Sequence, residues 1–178
     1  MFPKAHAVAY IMMGIRIAWF KVYEPLAYYA AFFSIRAKSF NYEMMAMGAD
    51  TLNKNLKEID AIEKKTAKDK ELVKDMKIVQ EFYARGFKFE PIDIYKVNVD
   101  RFQIIDGKLM PSLSTIDGLG GIAAESLVKE AAKGEFFSID DFKERTGIGN
   151  KTIDKMKSLG LFGNLPQSNQ LSIMDFLK

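Results

Sequence analysis

Ile116-Asp117-Gly118-Leu119-Gly120-Gly121-Ile122-Ala123-Ala124 and Thr146-Gly147-Ile148-Gly149-Asn150-Lys151-Thr152-Ile153 state the same pattern twice, with the turn at Gly118 repeated twenty-nine positions further on at Gly147. Each is a glycine–aliphatic–glycine turn running into a helical segment, expected over Ala123 to Lys133 and then Lys151 to Leu159. Glycine at both ends of so tight a turn admits φ > 0 and lets another backbone approach closely. The aliphatic residue between them, Leu119 or Ile148, is expected in the core. The N–H groups at the helix start then face outward, where they suit an anion such as a phosphate. One such turn reads equally well as a helix cap; its repetition argues for a paired device.

This pattern resembles the helix-hairpin-helix motif, which grips nucleic-acid backbone without reading sequence. Gly134-Glu135-Phe136-Phe137-Ser138-Ile139-Asp140-Asp141-Phe142 is similar to the connector that joins two such motifs into one unit. The resemblance makes Gly118, Gly120, Gly121, Gly147, Gly149, Asn150 and Lys151 the backbone-binding residues, with Lys155 in support. The expected ligand is duplex DNA.

Across 178 residues the chain has room for one large or two small domains. Its 48% hydrophobic and 28% charged residues are an ordinary soluble balance. With no cysteine, disulfides and thiolate metal sites are excluded. The net charge of +3 is too small to announce a nucleic-acid binder. Its distribution says more. Between Lys143 and Lys157 five basic residues face two acidic ones, whereas the first hairpin and its helix are slightly acidic. The second hairpin is therefore expected to carry more of the phosphate electrostatics.

Outward from the paired turns, the fold reads as mainly α. Val8, Ile11, Met12, Ile15, Trp19 and Val22 recur at helical spacing, interrupted by Arg16, so the opening stretch is read as a core helix rather than a signal peptide or membrane span. Pro25 suits the first turn of a second apolar helix, Leu26 to Ile35. Leu52, Leu56, Ile59 and Ile62 make one stripe of the charged segment that follows, and Leu72, Met76, Val79 and Tyr83 make another. Gly86 is a helix stop. Phe87 to Phe89 and Ile92 to Tyr95 read as short extended segments. Asp106-Gly107 is the favoured dipeptide of a two-residue hairpin between Phe102–Ile105 and Lys108–Met110. The division expected is 1–86, a β-ribbon connector at 87–111, the paired hairpins at 112–163, and a tail at 164–178.

Phe2-Pro3-Lys4-Ala5-His6-Ala7-Val8-Ala9-Tyr10, Arg16 to Val22, and Pro25-Leu26-Ala27-Tyr28-Tyr29-Ala30-Ala31 resemble the fingers region of bacterial DNA polymerase III alpha subunits, in detail the PolC type. The resemblance runs on through Arg85 to Phe89 and the paired hairpins, and covers essentially the whole chain. It implies that 1–86 are distal fingers helices, with Lys4, His6 and Tyr10 on the nucleotide or template side. The implied partners are duplex DNA, a deoxynucleotide triphosphate and the rest of a polymerase chain, in the bacterial cytoplasm at the nucleoid, with no membrane. A free-standing helix-hairpin-helix adaptor is the alternative; it would have no need of Lys4, His6 and Tyr10 in that setting.

The tail Gln170-Leu171-Ser172-Ile173-Met174-Asp175-Phe176 resembles the short peptide with which bacterial polymerases hold the sliding clamp. Gln170, Leu171 and Ile173 match that pattern, and either Met174 or Phe176 is the final anchor. A short helix packed on the hairpin domain is the alternative. Nucleotidyl transfer needs carboxylates holding two metal ions about 4 Å apart. Asp140-Asp141 reads instead as an acidic pair at a helix N-terminus, and His6 is the sole histidine. In the family the catalytic aspartates lie upstream of this region. The chain is thus expected to be the C-terminal piece of a larger polymerase, inactive alone and binding no cofactor, with magnesium implied only for the full enzyme.

Overall fold

The two short strands at the centre of the molecule divide it. β1 (Gln103–Ile105) and β2 (Lys108–Met110) pair antiparallel, with Ile104 opposite Leu109. Asp106 (φ 48°) and Gly107 (φ 75°) close the turn with both residues left-handed, the conformation that the right-handed twist of a ribbon selects. Alternation along β2 then sends Leu109 into one core and Met110 into another. This computed structural model describes residues 3–168.

The first core gathers α2 (Pro25–Ile35), α4 (Ala49–Asp60) and α5 (Ala67–Ala84) around Tyr29, Phe33, Leu52, Met76, Val79 and Phe82. It is held by aromatic packing: Phe82 stacks on Phe89 at 4.5 Å and meets Tyr29 edge-on at 5.2 Å. The expected stripes of α4 and α5 are present, with two refinements. Ile62 lies beyond the end of α4 and is 44% exposed, and Phe82, absent from the stripe read in the sequence, is fully buried. Thr66 and Asp69 form a reciprocal capping box that starts α5, and Gly86 (φ 83°) follows its last turn.

The second core is built from the paired-hairpin region together with Ile92, Ile94, Val97 and Met110. The short helix α3 (Tyr42–Met45) contributes to both: Tyr42 enters the second core and Met45 the first. Residues 88–90 lie along β2, with Leu109 N–H donating to Lys88 O (3.1 Å) and Glu90 N–H to Leu109 O (3.0 Å). The extended segment expected at Ile92 to Tyr95 is instead a turn from Asp93 onward. The Asp93 carboxylate accepts from Tyr95 N–H at 2.9 Å, and its carbonyl from Val97 N–H at 2.9 Å. A side-chain acceptor that competes with strand pairing is the reason.

α1 (Lys4–Tyr23) is a helix, but it is not a core helix. None of its residues is buried, and Tyr10, Ile11, Ile15 and Val22 are each more than 60% exposed. Its apolar residues go round the whole circumference rather than forming one stripe, so packing on α2 covers only a fraction of them. Its C-terminal end is fixed to α5. Lys21 pairs with Glu81 (2.8 Å), Arg85 donates to Lys21 O (2.9 Å), and Tyr29 donates to Glu81 (2.8 Å). The Lys21 hydrogen bond holds the Glu81 carboxyl below its usual range, while burial pushes the Tyr29 hydroxyl up to about 12. No helix among the described residues is long and apolar enough to cross a membrane.

Candidate nucleic-acid interface

The paired hairpins repeat in their dihedral angles as they do in their letters. A 3-10 turn at Leu113–Thr115 leads into the first, and α6 (Gly121–Ala131) leaves it. Helix α7 (Ile139–Thr146) leads into the second, and α8 (Asn150–Ser158) leaves it. The exit helices start one or two residues before the expected positions and end as much sooner. In the connector the sequence placed only a helix start. It holds the full α7, capped by Ser138 accepting from Asp141 N–H at 3.0 Å, with Asp140 and Asp141 in its first turn.

In each hairpin the first glycine is left-handed, Gly118 at φ 86° and Gly147 at φ 69°. The second is not. Gly120 (φ −70°, ψ 154°) and Gly149 (φ −72°, ψ 153°) are extended N-cap residues, and a Cβ on either would meet nothing within 4 Å. The expectation of φ > 0 at both ends therefore holds only for the entry glycine, because the exit position must already align the helix start. Between them Leu119 (8% exposed) and Ile148 (2%) are buried as expected. Among the described residues no hydrogen bond occupies the N–H groups of Gly120, Gly121 and Ile122, or those of Gly149, Asn150 and Lys151. Two outward sets of donors at the positive ends of α6 and α8 result.

The hairpins brace each other across an approximate two-fold relation. Ser126 of α6 donates to the carbonyl of Thr146, just before Gly147, at 2.9 Å. Its counterpart in α8, Lys155, reaches Asp117, just before Gly118, at 3.5 Å. Lys155 also pairs with Glu43 of α3 at 3.1 Å. The ammonium expected to assist phosphate binding is thus held between two carboxylates, with its side chain only 24% exposed. Thr152 adds a third tie, donating to Gly118 O at 3.3 Å.

Of the other basic residues in this half, Arg145 belongs to the scaffold. It lies over the Phe136 ring at 4.3 Å, donates to Glu135 O at 3.0 Å and pairs with Asp141 at 3.4 Å. Lys157 donates to Gln167 at 2.7 Å, where the described end of the chain returns to α7 through Ile139 N–H and Pro166 O (2.9 Å). Lys151 and Lys143 are exposed and enter no ion pair among the described residues. Lys143 was not singled out by the sequence; its place on α7, one turn ahead of the second hairpin, becomes visible only in the fold.

Lys4, His6 and Tyr10 lie on the first two turns of α1, with the His6 and Tyr10 rings 4.6 Å apart. Gln170, Leu171, Ile173, Met174 and Phe176 fall outside the described residues. No three of His, Asp and Glu among the described residues converge on a point that could hold a metal ion. Asp140 and Asp141 are committed to Gln167, Phe137 N–H and Arg145. Among the described residues no set of carboxylates fits a catalytic magnesium site.

Residues 86–171 match the family described as Helix-hairpin-helix motif. Nearly the whole chain is similar to part of proteins named DNA polymerase III PolC-type. That of Caldanaerobacter subterraneus subsp. tengcongensis is 41% identical over 174 residues, 97% of this chain and 12% of the relative. That of Streptococcus sanguinis is 41% identical over 178 residues, 98% of this chain and 12% of the relative. That of Streptococcus pneumoniae is 40% identical over 180 residues, again 12% of its length. The chain matches a segment of DNA polymerase III PolC-type and spans about an eighth of these relatives.

Proposed function

We propose, from that segment match, that this chain works within a DNA-directed DNA polymerase of the bacterial cytoplasm and there holds duplex DNA by its phosphates. The supporting observation is the duplicated hairpin geometry, which presents two sets of N–H groups, unengaged among the described residues, on turns that brace each other. Backbone donors position a nucleic acid without specifying a base, so no sequence preference is expected. Among the described residues, Lys151 supplies a cation beside these donors that no carboxylate engages. The exposed apolar surface of α1 and the groove it shares with α2, lined by Ile17, Phe20, Tyr28 and Phe32, favour this reading over a free-standing adaptor. Such a surface belongs against the rest of a longer chain.

Fluorescence anisotropy of the 178-residue chain with duplexes of different sequence tests the proposal. Binding should be weak and sequence-blind, with log affinity falling on log salt at a slope of roughly −2 to −3 for two or three phosphates. A strong preference for one duplex, or indifference to salt, would sink it.

The finer roles belong to the intact polymerase: Lys4, His6 and Tyr10 on the nucleotide or template side, the tail on the sliding clamp, and magnesium held by other parts of the enzyme. There, deletion of 170–178 should abolish clamp-stimulated synthesis and spare distributive synthesis. In the same assays Lys4→Ala should raise the KM for nucleotide without altering folding. Normal clamp stimulation after the deletion, or an unchanged KM, would remove the corresponding role.

A further inference from the structure

The two hairpins are alike in backbone and unlike in what they present. The twenty-nine-residue offset that superimposes Gly118 on Gly147 also places Ile122 on Lys151. Both stand in the first turn of their exit helix and carry one of the three unengaged N–H groups. Ile122 is 87% exposed, more than any other large apolar side chain among the described residues. Exposed apolar residues scattered singly are ordinary, and most of the others here stand on α1. Ile122 does not. It projects from a closed, well-packed unit at the very turn whose donors point outward. Its hairpin is also the acidic one: Asp117 and Glu125 are exposed nearby, and no lysine stands in the first turn of α6.

Resting on the phosphate-binding reading above, we infer that the two hairpins grip duplex DNA by different chemistry. The second is the ionic contact, with Lys151 on a phosphate. The first sets Ile122 against the apolar faces of the deoxyriboses that line the groove beside the phosphate its N–H groups hold. Apolar contact of this kind releases no counterion, so it adds affinity without adding to the salt dependence. Thr152, the neighbour of Lys151, bonds to Gly118 and fixes the spacing between the two contacts.

The test measures salt-dependent duplex affinity for the full chain and three variants. Ile122→Ala should lower affinity at every salt by a common factor, roughly three- to tenfold for one partly buried aliphatic side chain, with the log–log slope unchanged. Lys151→Ala should make the slope shallower by about 0.9, the value for one phosphate. Ile122→Lys should restore or raise affinity at low salt and steepen the slope by a similar step. Because Ile122 is exposed, circular dichroism should find all three folded. Unchanged affinity in Ile122→Ala, or a change of slope equal to that of Lys151→Ala, would overturn the division of labour while leaving phosphate binding intact. Absence of duplex binding by the unsubstituted chain would overturn both.

Discussion

α1 and α8 invert the usual relation between composition and burial. α1 is the more apolar of the two, twenty residues with two charged groups beyond its first turn, and it buries nothing. α8 is nine residues, three of them lysine, and it buries Ile153 and Met156 to 3% and 0% exposure. What separates them is where the apolar groups stand. Ile153 and Met156 share one face three residues apart and meet a core already shaped by Phe142, Leu127 and Phe162. On α1 the apolar side chains go all the way round, and the packing on α2 and the ties at the end of α5 leave most of them exposed. Burial follows facing and partners, not content.

The largest expected effect would break this contrast if it failed. Ile148→Asp places a carboxylate among Leu119, Phe142 and Met156 with no cation to pair it. It should cost about 4 kcal/mol or more, enough to unfold the hairpin unit. Ile15→Asp makes the same chemical change at a position 63% exposed, and should cost about 0.5 kcal/mol, the difference in helix propensity. Chemical denaturation followed by circular dichroism compares the two. Similar losses for both would mean that α1 is covered in solution, by a second copy or by a different packing of α2.

What could be read in the sequence, and what could not, divides along the same line. Features fixed within a few residues were legible: the Asp106-Gly107 turn, Pro25 at a helix start, Gly86 at a helix stop, and the repeated hairpins with Leu119 and Ile148 inward. Each is set by the local conformations open to those residues. Features that depend on what lies opposite were not. α1 looked like a core helix because spacing says which residues could share a face and nothing about whether a neighbour covers them. That Lys155 pairs with Asp117 and Glu43 could not be read either, because both are far from it in sequence, and only the packing of the hairpins on each other and on α3 brings them within 3.5 Å.

The glycines sharpen the comparison at its smallest scale. Gly147 and Gly149 bracket one buried isoleucine, and a Cβ on either would meet nothing within 4 Å. Any difference between their alanine variants must therefore come from backbone conformation. Gly147 sits at φ 69°, ψ 13°, ending α7 in the left-handed region, so Gly147→Ala should cost about 1–2 kcal/mol. Gly149 sits at φ −72°, ψ 153°, where alanine is at ease. There a modest loss of N-cap quality opposes the reduced freedom of the unfolded chain, and the sum should stay within about 0.5 kcal/mol of zero. Duplex binding should rank them differently. A methyl group on Gly149 would stand beside the N–H groups of Asn150 and Lys151, where a phosphate has to come close. Gly149→Ala should therefore weaken binding severalfold in a protein that melts as the unsubstituted chain does. Equal stability losses in the two variants would mean that the exit glycine is also left-handed in solution. Full affinity in Gly149→Ala would mean that the phosphate does not approach this helix start.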